Sequence, residues 1–253
     1  MKKGENVATA VILASAQGAR LRGLTGGTPK GFLRLGGRPI AHWSVQKMFA
    51  AGIEQVVIVT GYGADAYEVM CETWTGVLTV TNPVHADSGS MYSLYCAREM
   101  VEGPFLLAES DVIYETRALE ALLEDPAENA VLVAEPSSSG DDRYVEVHEG
   151  KAKRIGPAEG GEEAQFTGLS KISPPMFAAM LKYADSFFRE RFYYLDYEEC
   201  ISRIAGEVAV HACKADDLLW AKVDCDERLA RATNRIFPLI FSRDGGPPDG
   251  APT

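Results

Sequence analysis

Cysteine is scarce in this sequence of 253 residues and shows no ligand spacing. The five cysteines are odd in number, and no two of them form a Cys-x-x-Cys pair. Disulfide-rich secreted scaffolds carry a dense, even set of cysteines, and zinc sites usually space them in pairs. The composition therefore argues against both kinds of protein, and we expect a protein of the reducing cytoplasm.

Positive charge and long apolar segments are also in short supply. Lys and Arg number 25 against 36 Asp and Glu, which gives a formal net charge of −11. Such a chain repels the phosphate backbone of a nucleic acid, and no basic stripe offsets that repulsion. No run approaches the roughly 18 apolar residues that a membrane span needs. We therefore expect a small-molecule partner and neither nucleic acid nor membrane, with a homodimer as one candidate assembly.

The sequence does contain a regular alternation of buried apolar runs and amphipathic stretches. Alternating strands and helices are typical of an α/β protein with a Rossmann-like, doubly wound and mostly parallel sheet. The apolar runs predict strands and the amphipathic stretches predict helices between them; the strands are 8–14, 55–61, 77–81, 105–109 and 130–135, and the helices are 41–52, 64–74, 90–101 and 116–124.

The rhythm changes at about residue 136, where polar and apolar residues alternate around a Gly-containing turn. That pattern is typical of a solvent-faced hairpin. We expect one domain of residues 1–242, in which a small hairpin lid (about 136–205) is inserted into a core (about 7–135 and 206–240). Later elements are a strand at 166–172, helices at 174–190 and 196–205, a strand at 218–224 and a helix at 226–236. The Pro/Gly-rich tail, 243–253, is expected to be disordered.

The loop "ASAQGARLRGLTGGTPKG" (14–31) follows the first predicted strand and holds five glycines, Arg20, Arg22 and Lys30 without a single acid. A Gly-rich strand-to-helix loop exposes backbone N–H groups to an anion, and the three cations add formal charge. The pattern predicts a phosphate site, although it has neither the P-loop spacing nor the third glycine of a dinucleotide fingerprint. The alternative is a surface loop with solvated cations.

Two aspartates follow predicted strands and complement this cationic loop. Asp111 comes after "FLLAES" and Asp224 after "LLWAKV", so each is expected at the carboxyl end of a strand, where open α/β sheets bind ligands. Mg²⁺ commonly takes one or two carboxylates together with phosphate oxygens. Either aspartate alone could be a helix N-cap. Together with the loop, however, they predict a metal-phosphate site.

These residues carry a resemblance to a known family. The stretch "LASAQGARLRGLTGGTPKGFLRLGG" resembles the signature loop of nucleotidyltransferases that make sugar nucleotides and CDP-alcohols. Over about residues 8–236 the chain is similar to phosphonate cytidylyltransferases of the 2-aminoethylphosphonate type, with bacterial phosphocholine cytidylyltransferases close by. The similarity rests on the segments "SVQKMFAAGIEQVVIVTGY", "NPVHADSGSMYSL", "FLLAESDVIYE", "SGDDRYVEV", "GLSKIS", "DYEEC" and "WAKVDCDERL", which follow in the expected order.

The resemblance implies a nucleotidyltransferase fold and a CTP-dependent reaction that uses Mg²⁺ and releases pyrophosphate. It implies that Arg20 holds the β and γ phosphates, that Lys30 bridges the α-phosphate and the acceptor, and that Lys171 lies near the phosphonate. The metal ligands would be Asp111 and Asp224. The nucleotide would contact Leu13, Ala14, Ser15, Ala16, Gly18, Gly61, Tyr62, Asn82, Gly89 and Ser90, and the acceptor Asp141, Tyr144, Glu146, Asp196 and Glu198.

One departure from the family concerns Ser15 and Ala16, which stand where paired glycines are usual. If Ala16 must adopt a positive φ, its Cβ costs about 1 kcal/mol relative to glycine.

The acids of the acceptor segments favour a cationic acceptor, because a carboxylate attracts an ammonium group at short range. If those acids only face solvent, 2-hydroxyethylphosphonate becomes the better acceptor. A trimethylammonium group, as in phosphocholine, would require an aromatic cage, for which Tyr193, Tyr194 and Tyr197 are candidates. The rival functions are a sugar-phosphate nucleotidyltransferase and a nucleotide sensor without turnover.

Overall fold

The computed structural model describes residues 6–17, 27–135, 143–160 and 163–246. The strands are β1 Thr9–Leu13, β2 Arg34–Leu35, β3 Arg38–Pro39, β4 Gln55–Thr60, β5 Val77–Thr81, β6 Phe105–Glu109, β7 Val112–Tyr114, β8 Ala130–Ala134, β9 Tyr144–His148, β10 Lys151–Gly156, β11 Glu163–Ile172, β12 His211–Lys214 and β13 Trp220–Lys222. The α-helices are α1 Ile40–Ala50, α2 Ala64–Cys71, α3 Ser90–Cys96, α4 Arg117–Glu124, α5 Pro174–Arg189, α6 Tyr197–Ile204, α7 Asp226–Arg231 and α8 Phe237–Arg243. A π-helical turn, Ala232–Ile236, joins α7 to α8, and short 3₁₀ turns cover Lys30–Phe32, His85–Asp87 and Arg98–Met100.

A nine-stranded sheet in the order β5-β4-β1-β6-β11-β8-β12-β10-β9 organises the described chain. The first four strands are mutually parallel, β11 runs antiparallel to β6 and β8, and β12 is parallel to β8. The doubly wound α/β class is therefore confirmed, and the sheet is mixed rather than wholly parallel. The strand direction reverses at β11, whose first residues also pair with β9 of the hairpin.

Helices cover both faces of the sheet, and each face has its own core. Val11 and Leu13 of β1 pack with α3, α5 and α6 on one face, while Ala10 and Ile12 pack with α1, α2 and α4 on the other. Successive side chains of a strand point to opposite faces, so a strand covered on both sides needs an unbroken apolar run. The run "TAVIL" meets that need, and all five of its residues are buried.

Local signals in the sequence explain where several elements begin. Ser173 caps α5, accepting a hydrogen bond from the Met176 N–H at 3.4 Å, and two prolines open the helix where no N–H is required. The hairpin β9–β10 forms as expected, but it continues the main sheet through the Lys151–His211 pair instead of forming a sheet of its own.

The carboxyl-terminal segment is ordered further than expected. Arg243 ends α8 and donates to the buried Glu115 carboxylate, and Asp244 accepts hydrogen bonds from the Lys47 ammonium group at 2.5 Å and the Thr116 N–H at 3.0 Å. The prediction of disorder from residue 243 is therefore wrong at its start, because charged partners in the core hold Arg243 and Asp244. Residues 247–253 lie outside the described residues. None of the described helices is long and apolar enough to cross a membrane.

Candidate active site

A cleft of about 420 Å³ opens at the carboxyl ends of β1 and β6. This is the sheet edge at which α/β folds bind ligands. Backbone hydrogen bonds join the segments there: Ser110 N–H donates to the Leu13 carbonyl at 3.1 Å, and Val223 N–H to the Asp111 carbonyl at 2.7 Å. The cleft is lined by Leu13, Ser15, Ala16, Lys30, His85, Ser88, Gly89, Ser90, Ser93, Glu109, Ser110, Asp111, Arg143, Asp196, Tyr197, Glu198, Lys222 and Asp224.

Lys30 and Asp111 form an ion pair on one side of the cleft. The Lys30 ammonium group lies 3.0 Å from the Asp111 carboxylate. The next residue, Gly31, lets the turn pack tightly, since a Cβ there would lie 2.5 Å from the Tyr67 hydroxyl. Burial would raise the pKa of Asp111, but the charges of Lys30 and Lys222 hold it below its ordinary value. Asp111 is therefore an anion at neutral pH.

Asp224 lies beside Asp111 on the neighbouring strand end and is equally buried, each with 4% of its surface exposed. Its carboxylate forms an ion pair with Arg228 at 3.2 Å. No group of three or more His, Cys, Asp or Glu side chains is placed to hold a metal ion within the described ranges. Two converging carboxylates fit Mg²⁺, which completes its shell with phosphate oxygens and water.

Small polar side chains form the next part of the wall. The buried Asn82 amide donates to the hydroxyls of Ser88 at 2.9 Å and Ser93 at 3.0 Å, and Ser93 shares a 2.7 Å hydrogen bond with Ser15. Gly89 lies where two chain segments cross, because its N–H donates to the Tyr193 carbonyl and a Cβ would lie 2.4 Å from the Leu195 carbonyl oxygen. Glycine is thus required at residue 89 by close backbone packing.

Two carboxylates converge on Ser90 at the far side of the cleft. The Ser90 hydroxyl lies 3.1 Å from an Asp196 oxygen and 3.4 Å from a Glu198 oxygen, and it accepts the Tyr197 N–H at 3.0 Å. Asp196 is half-exposed, whereas Glu198 is buried. Burial and the negative charges of Glu109 and Asp196 raise the pKa of Glu198 to about 8.

Lys222 and Glu109 connect the two sides. The Lys222 ammonium group is hydrogen-bonded to one Glu109 oxygen, and the Tyr197 hydroxyl donates to the other at 3.0 Å. Burial alone would lower the pKa of Lys222, but the carboxylates of Glu109, Asp111 and Glu198 raise it above its ordinary value. Lys222 is therefore positively charged at neutral pH, and it lies among acidic residues from both sides of the cleft.

The structure brings many of the predicted site residues together. Ten of them line the cleft: Leu13, Ser15, Ala16, Lys30, Gly89, Ser90, Asp111, Asp196, Glu198 and Asp224. Other predicted residues, namely Ala14, Gly61, Tyr62, Asn82, Tyr144 and Glu146, are not in its lining. Gly18, Arg20 and Asp141 lie outside the described residues, and their roles remain predictions.

Some of the residues behind the lining support it. The Tyr62 N–H donates to the Ser15 carbonyl at 3.0 Å, and Gly61 packs so closely on His85 that a Cβ would lie 2.5 Å from the His85 Cβ. Glu146 instead lies on the hairpin with its carboxylate 3.7 Å from Arg154, so its predicted contact with the acceptor is not supported.

The placement of Lys171 beside the phosphonate is wrong. Lys171 pairs with Leu106, near the amino end of β6, and its ammonium group donates to the Asp125 carbonyl at 2.7 Å. Because β11 runs antiparallel to β6, this part of β11 lies at the sheet edge opposite the cleft. The sequence motif "GLSKIS" has no feature that reports the direction of its strand.

The three tyrosines that were candidates for an aromatic cage around a trimethylammonium group do not form one. Tyr197 lines the cleft, but its hydroxyl is committed to Glu109. Tyr193 stacks near Tyr92 with ring centres 4.6 Å apart, and Tyr194 is exposed with its hydroxyl 3.2 Å from Asp87.

Sequence reasoning missed Glu109 and Lys222, although a signal for both was present. Each stands two residues before a predicted metal ligand, Asp111 or Asp224, at a strand end. Alternate residues of a strand share a face, so the partner two residues back belongs in the same cleft. The cost expected at Ala16 does not arise, because the described non-glycine residues with positive φ are Glu149, Arg191 and Asp217.

The fold and the cleft, with two acids at neighbouring strand ends, define a nucleotidyltransferase. Residues 10–199 match the family model of the MobA-like NTP transferase domain. That match covers most of the chain, and the protein belongs to this family. The expectation of a nucleotidyltransferase enzyme is confirmed.

Curated relatives support the narrower resemblance drawn from the motifs. The chain is 23% identical to the 2-aminoethylphosphonate cytidylyltransferase of Lancefieldella rimae, over 95% of this chain and 98% of that protein. It is 26% identical to the CMP-5'-(3-aminopropyl)phosphonate synthase of Streptomyces rubellomurinus, over 90% of this chain and 39% of that protein. The resemblance to phosphonate cytidylyltransferases is thereby confirmed.

Solved structures share the fold. The inositol-1-phosphate CTP transferase from T. maritima matches with a TM-score of 0.82 at 22% identity, over 96% of this chain and 99% of that one. The CTP:phosphocholine cytidylyltransferase from Streptococcus pneumoniae matches with a TM-score of 0.78 at 19% identity, over 90% and 98%.

Proposed function

We propose that this protein transfers the CMP group of CTP to a phosphonate oxygen of a small aminoalkyl phosphonate, 2-aminoethylphosphonate before others, and releases pyrophosphate. The observation that carries the proposal is the division of one cleft into a phosphate side, with Lys30, Asp111 and Asp224, and an ammonium side, with Asp196 and Glu198. The names of the relatives from Lancefieldella rimae and Streptomyces rubellomurinus support the same chemistry.

The reaction joins an oxygen of the acceptor's phosphonate to the α-phosphorus of CTP while the bond to the pyrophosphate oxygen breaks. The nucleophile is already an anion, so no strong general base is needed. What the site must do is offset the repulsion between two anions, and Lys30 is placed to do so. Mg²⁺ held by Asp111 and Asp224 would neutralise phosphate charge and orient the triphosphate.

The nucleotide is proposed to lie along the part of the cleft wall that Ser15, Ser88 and Ser93 form. Ser15, Ser88, Ser93 and the Gly89 backbone line the cleft beside the phosphate side. The buried Asn82 fixes the serine hydroxyls from behind rather than by direct contact. The Arg20 loop, outside the described residues, would hold the β and γ phosphates.

A primary ammonium group fits the acceptor side better than the alternatives. It has three N–H donors, and Asp196, Glu198 and the Ser90 hydroxyl offer oxygens that converge at one place. A hydroxyl group brings no positive charge to the Asp196 carboxylate, whose ion pair with the half-exposed Arg143 is long at 3.7 Å. An ammonium group would also favour the ionised form of Glu198, whose pKa is raised to about 8 without it. A trimethylammonium group has no donor and would need an aromatic cage, which Tyr193, Tyr194 and Tyr197 do not form here.

The segment that supplies these contacts is the predicted lid. Arg143, Asp196 and Glu198 all belong to residues 136–205 and line the cleft. We therefore propose that this segment supplies the acids that bind the acceptor's ammonium group, while the core supplies Ser90 beside them and binds the nucleotide and the metal.

The first test is pyrophosphate release with CTP and Mg²⁺ against 2-aminoethylphosphonate, 2-hydroxyethylphosphonate and phosphocholine in parallel. We expect kcat/KM to be highest for the amino compound. A higher value for the hydroxy compound would overturn the assignment of the acidic side. If none of the three compounds gives pyrophosphate release, and a sugar phosphate is turned over with UTP, GTP or dTTP, the proposed reaction is overturned.

A matched pair of variants tests the acidic side directly. Asp196→Asn should lower the preference for the amino over the hydroxy compound about tenfold, which corresponds to about 1.4 kcal/mol. Asp185→Asn is the control, because Asp185 pairs with Arg189 along α5 outside the cleft lining. An unchanged preference in Asp196→Asn would assign Asp196 to the surface.

A further inference from the structure

Lys222 lines the cleft, but the proposed function as stated so far gives it no ligand to bind. It lies on β13, paired with Val112, and shares its strand face with Asp224 two residues on. Its ammonium group is bonded to Glu109 while its side chain keeps 29% of its surface exposed. The side chain is therefore anchored by Glu109 and forms part of the cleft wall.

The order of charges along the cleft is unusual. Ser90, Asp196 and Glu198 form one end, and Lys30, Asp111 and Asp224 form the other. Lys222 lies between the two ends. It pairs with Val112, the residue after Asp111, and it is bonded to Glu109, whose other oxygen accepts the hydroxyl of Tyr197.

The proposed acceptor is a zwitterion whose two charges are separated by a short carbon chain. If its ammonium group binds at Asp196 and Glu198, its phosphonate must lie toward the α-phosphate held at Lys30 and Asp111. That path passes Lys222. We infer, on the basis of the proposed function, that Lys222 binds the acceptor's phosphonate and presents its oxygen to the α-phosphorus. Lys222 thus takes the place near the phosphonate that the family resemblance implied for Lys171.

Glu109 is then a positioning residue. Its carboxylate holds the Lys222 ammonium group with one oxygen and the buried Tyr197 hydroxyl with the other. A lysine side chain has many rotamers, and a second fixed partner restricts the ammonium group to the cleft.

The inference is tested with Lys222→Met, Lys222→Arg and the double variant Lys222→Met/Glu109→Gln, and with Lys171→Met as the matched control. Lys222→Met alone leaves the Glu109 carboxylate buried without its cation and can fail to fold, whereas the double variant removes both charges. Steady-state kinetics with 2-aminoethylphosphonate and with 2-hydroxyethylphosphonate give kcat and both KM values for each folded variant.

We expect the double variant to lose on the order of 100-fold in kcat/KM for both phosphonates alike, because both share the group that Lys222 binds. The KM for CTP should stay within about twofold, Lys222→Arg should recover part of the loss, and Lys171→Met should change neither KM. If Lys222 only neutralises Glu109, the double variant recovers wild-type kinetics, which overturns the inference. A loss confined to the amino compound also overturns it.

The proposed function and the role of Lys222 are overturned by different results. A wild-type protein that turns over no phosphonate with CTP overturns the proposed function and this inference with it. An active wild type whose double variant keeps its kcat/KM overturns the role of Lys222 alone.

Discussion

Two lysines, Lys222 and Lys171, lie at opposite ends of the parallel strands and have opposite surroundings. Lys222 is on β13 of the small β13–β7 sheet, and Lys171 is on β11 of the nine-stranded sheet. Lys222 is at the carboxyl ends of the parallel strands among Glu109, Asp111 and Glu198, which raise its pKa against the effect of burial. Lys171 is at the amino ends, where burial lowers its pKa and its ammonium group donates to the Asp125 backbone. The position of a lysine in the sheet, and not its nearness to a motif, decides what it can bind.

The edge that carries Lys171 is built for packing rather than for ligands. Asp125 is buried and accepts hydrogen bonds from the Ala127 N–H at 2.9 Å, while its other oxygen lies 2.6 Å from a His211 ring nitrogen. The Cys213 thiol nearby is buried, and burial raises its pKa to about 12, so it is not nucleophilic. The charged groups of Lys171 and Asp125 thus find their partners within the chain.

The largest predicted effect is the loss of turnover on replacing Lys30, which lies at the cleft. Lys30→Ala should lower turnover by on the order of 100-fold or more, because one charge that offsets transition-state repulsion is removed. Pyrophosphate release measures it, with Lys153→Ala, an exposed lysine on β10, as the control. A folded Lys30→Ala variant with a near-normal rate would break the comparison.

Glu198 gives the cleft edge a pH dependence of stability. Its pKa is about 8 in the fold, above the ordinary 4.5. The folded state therefore binds more protons than the unfolded state between these values, and the free energy of unfolding falls as pH rises through this window. The slope from this group is on the order of 1 kcal/mol per pH unit. Urea unfolding of wild type and Glu198→Gln at pH 5 to 8 should show the flatter curve for the variant; parallel curves would contradict it.

Asp125 is the counterpart at the opposite edge. Asp125→Asn should destabilise the fold by about 1 kcal/mol without changing the acceptor preference, because it weakens the contact with His211 and touches nothing in the cleft. Urea unfolding measures the first effect, and the kinetics with two phosphonates measure the second. A changed preference would show that the two edges communicate.

The smallest effect is expected for Lys171. Lys171→Met should keep kcat/KM within about twofold, since the residue is far from the cleft and methionine fills a similar volume. A loss comparable to that of the Lys30→Ala variant would restore the original interpretation of "GLSKIS" and remove the distinction between the edges.

Much of the fold could be predicted because its signals are local. The apolar runs at 55–60 and 105–109 identify strands covered on both faces, and Ser173 with two prolines marks the start of α5. The short strands β2, β3 and β7 and the strand β12 were not predicted, since two to four residues carry too little periodicity. Arg243 and Asp244 were assigned to a disordered tail because their partners, Glu115 and Lys47, are distant in sequence.

The sequence by itself determined the alternation of strands and helices, the cationic Gly-rich loop, and the aspartates at two strand ends. These features depend on residue periodicity and on neighbours within a few positions. Such signals are contained in each short stretch of sequence and need no contact with distant residues. Only the tertiary structure decided that Lys222 rather than Lys171 faces the cleft, and that Glu109 and Tyr197 hold it there. The reason is physical: the direction of β11 is set by hydrogen bonds to β6 and β8, partners that lie far away in the chain.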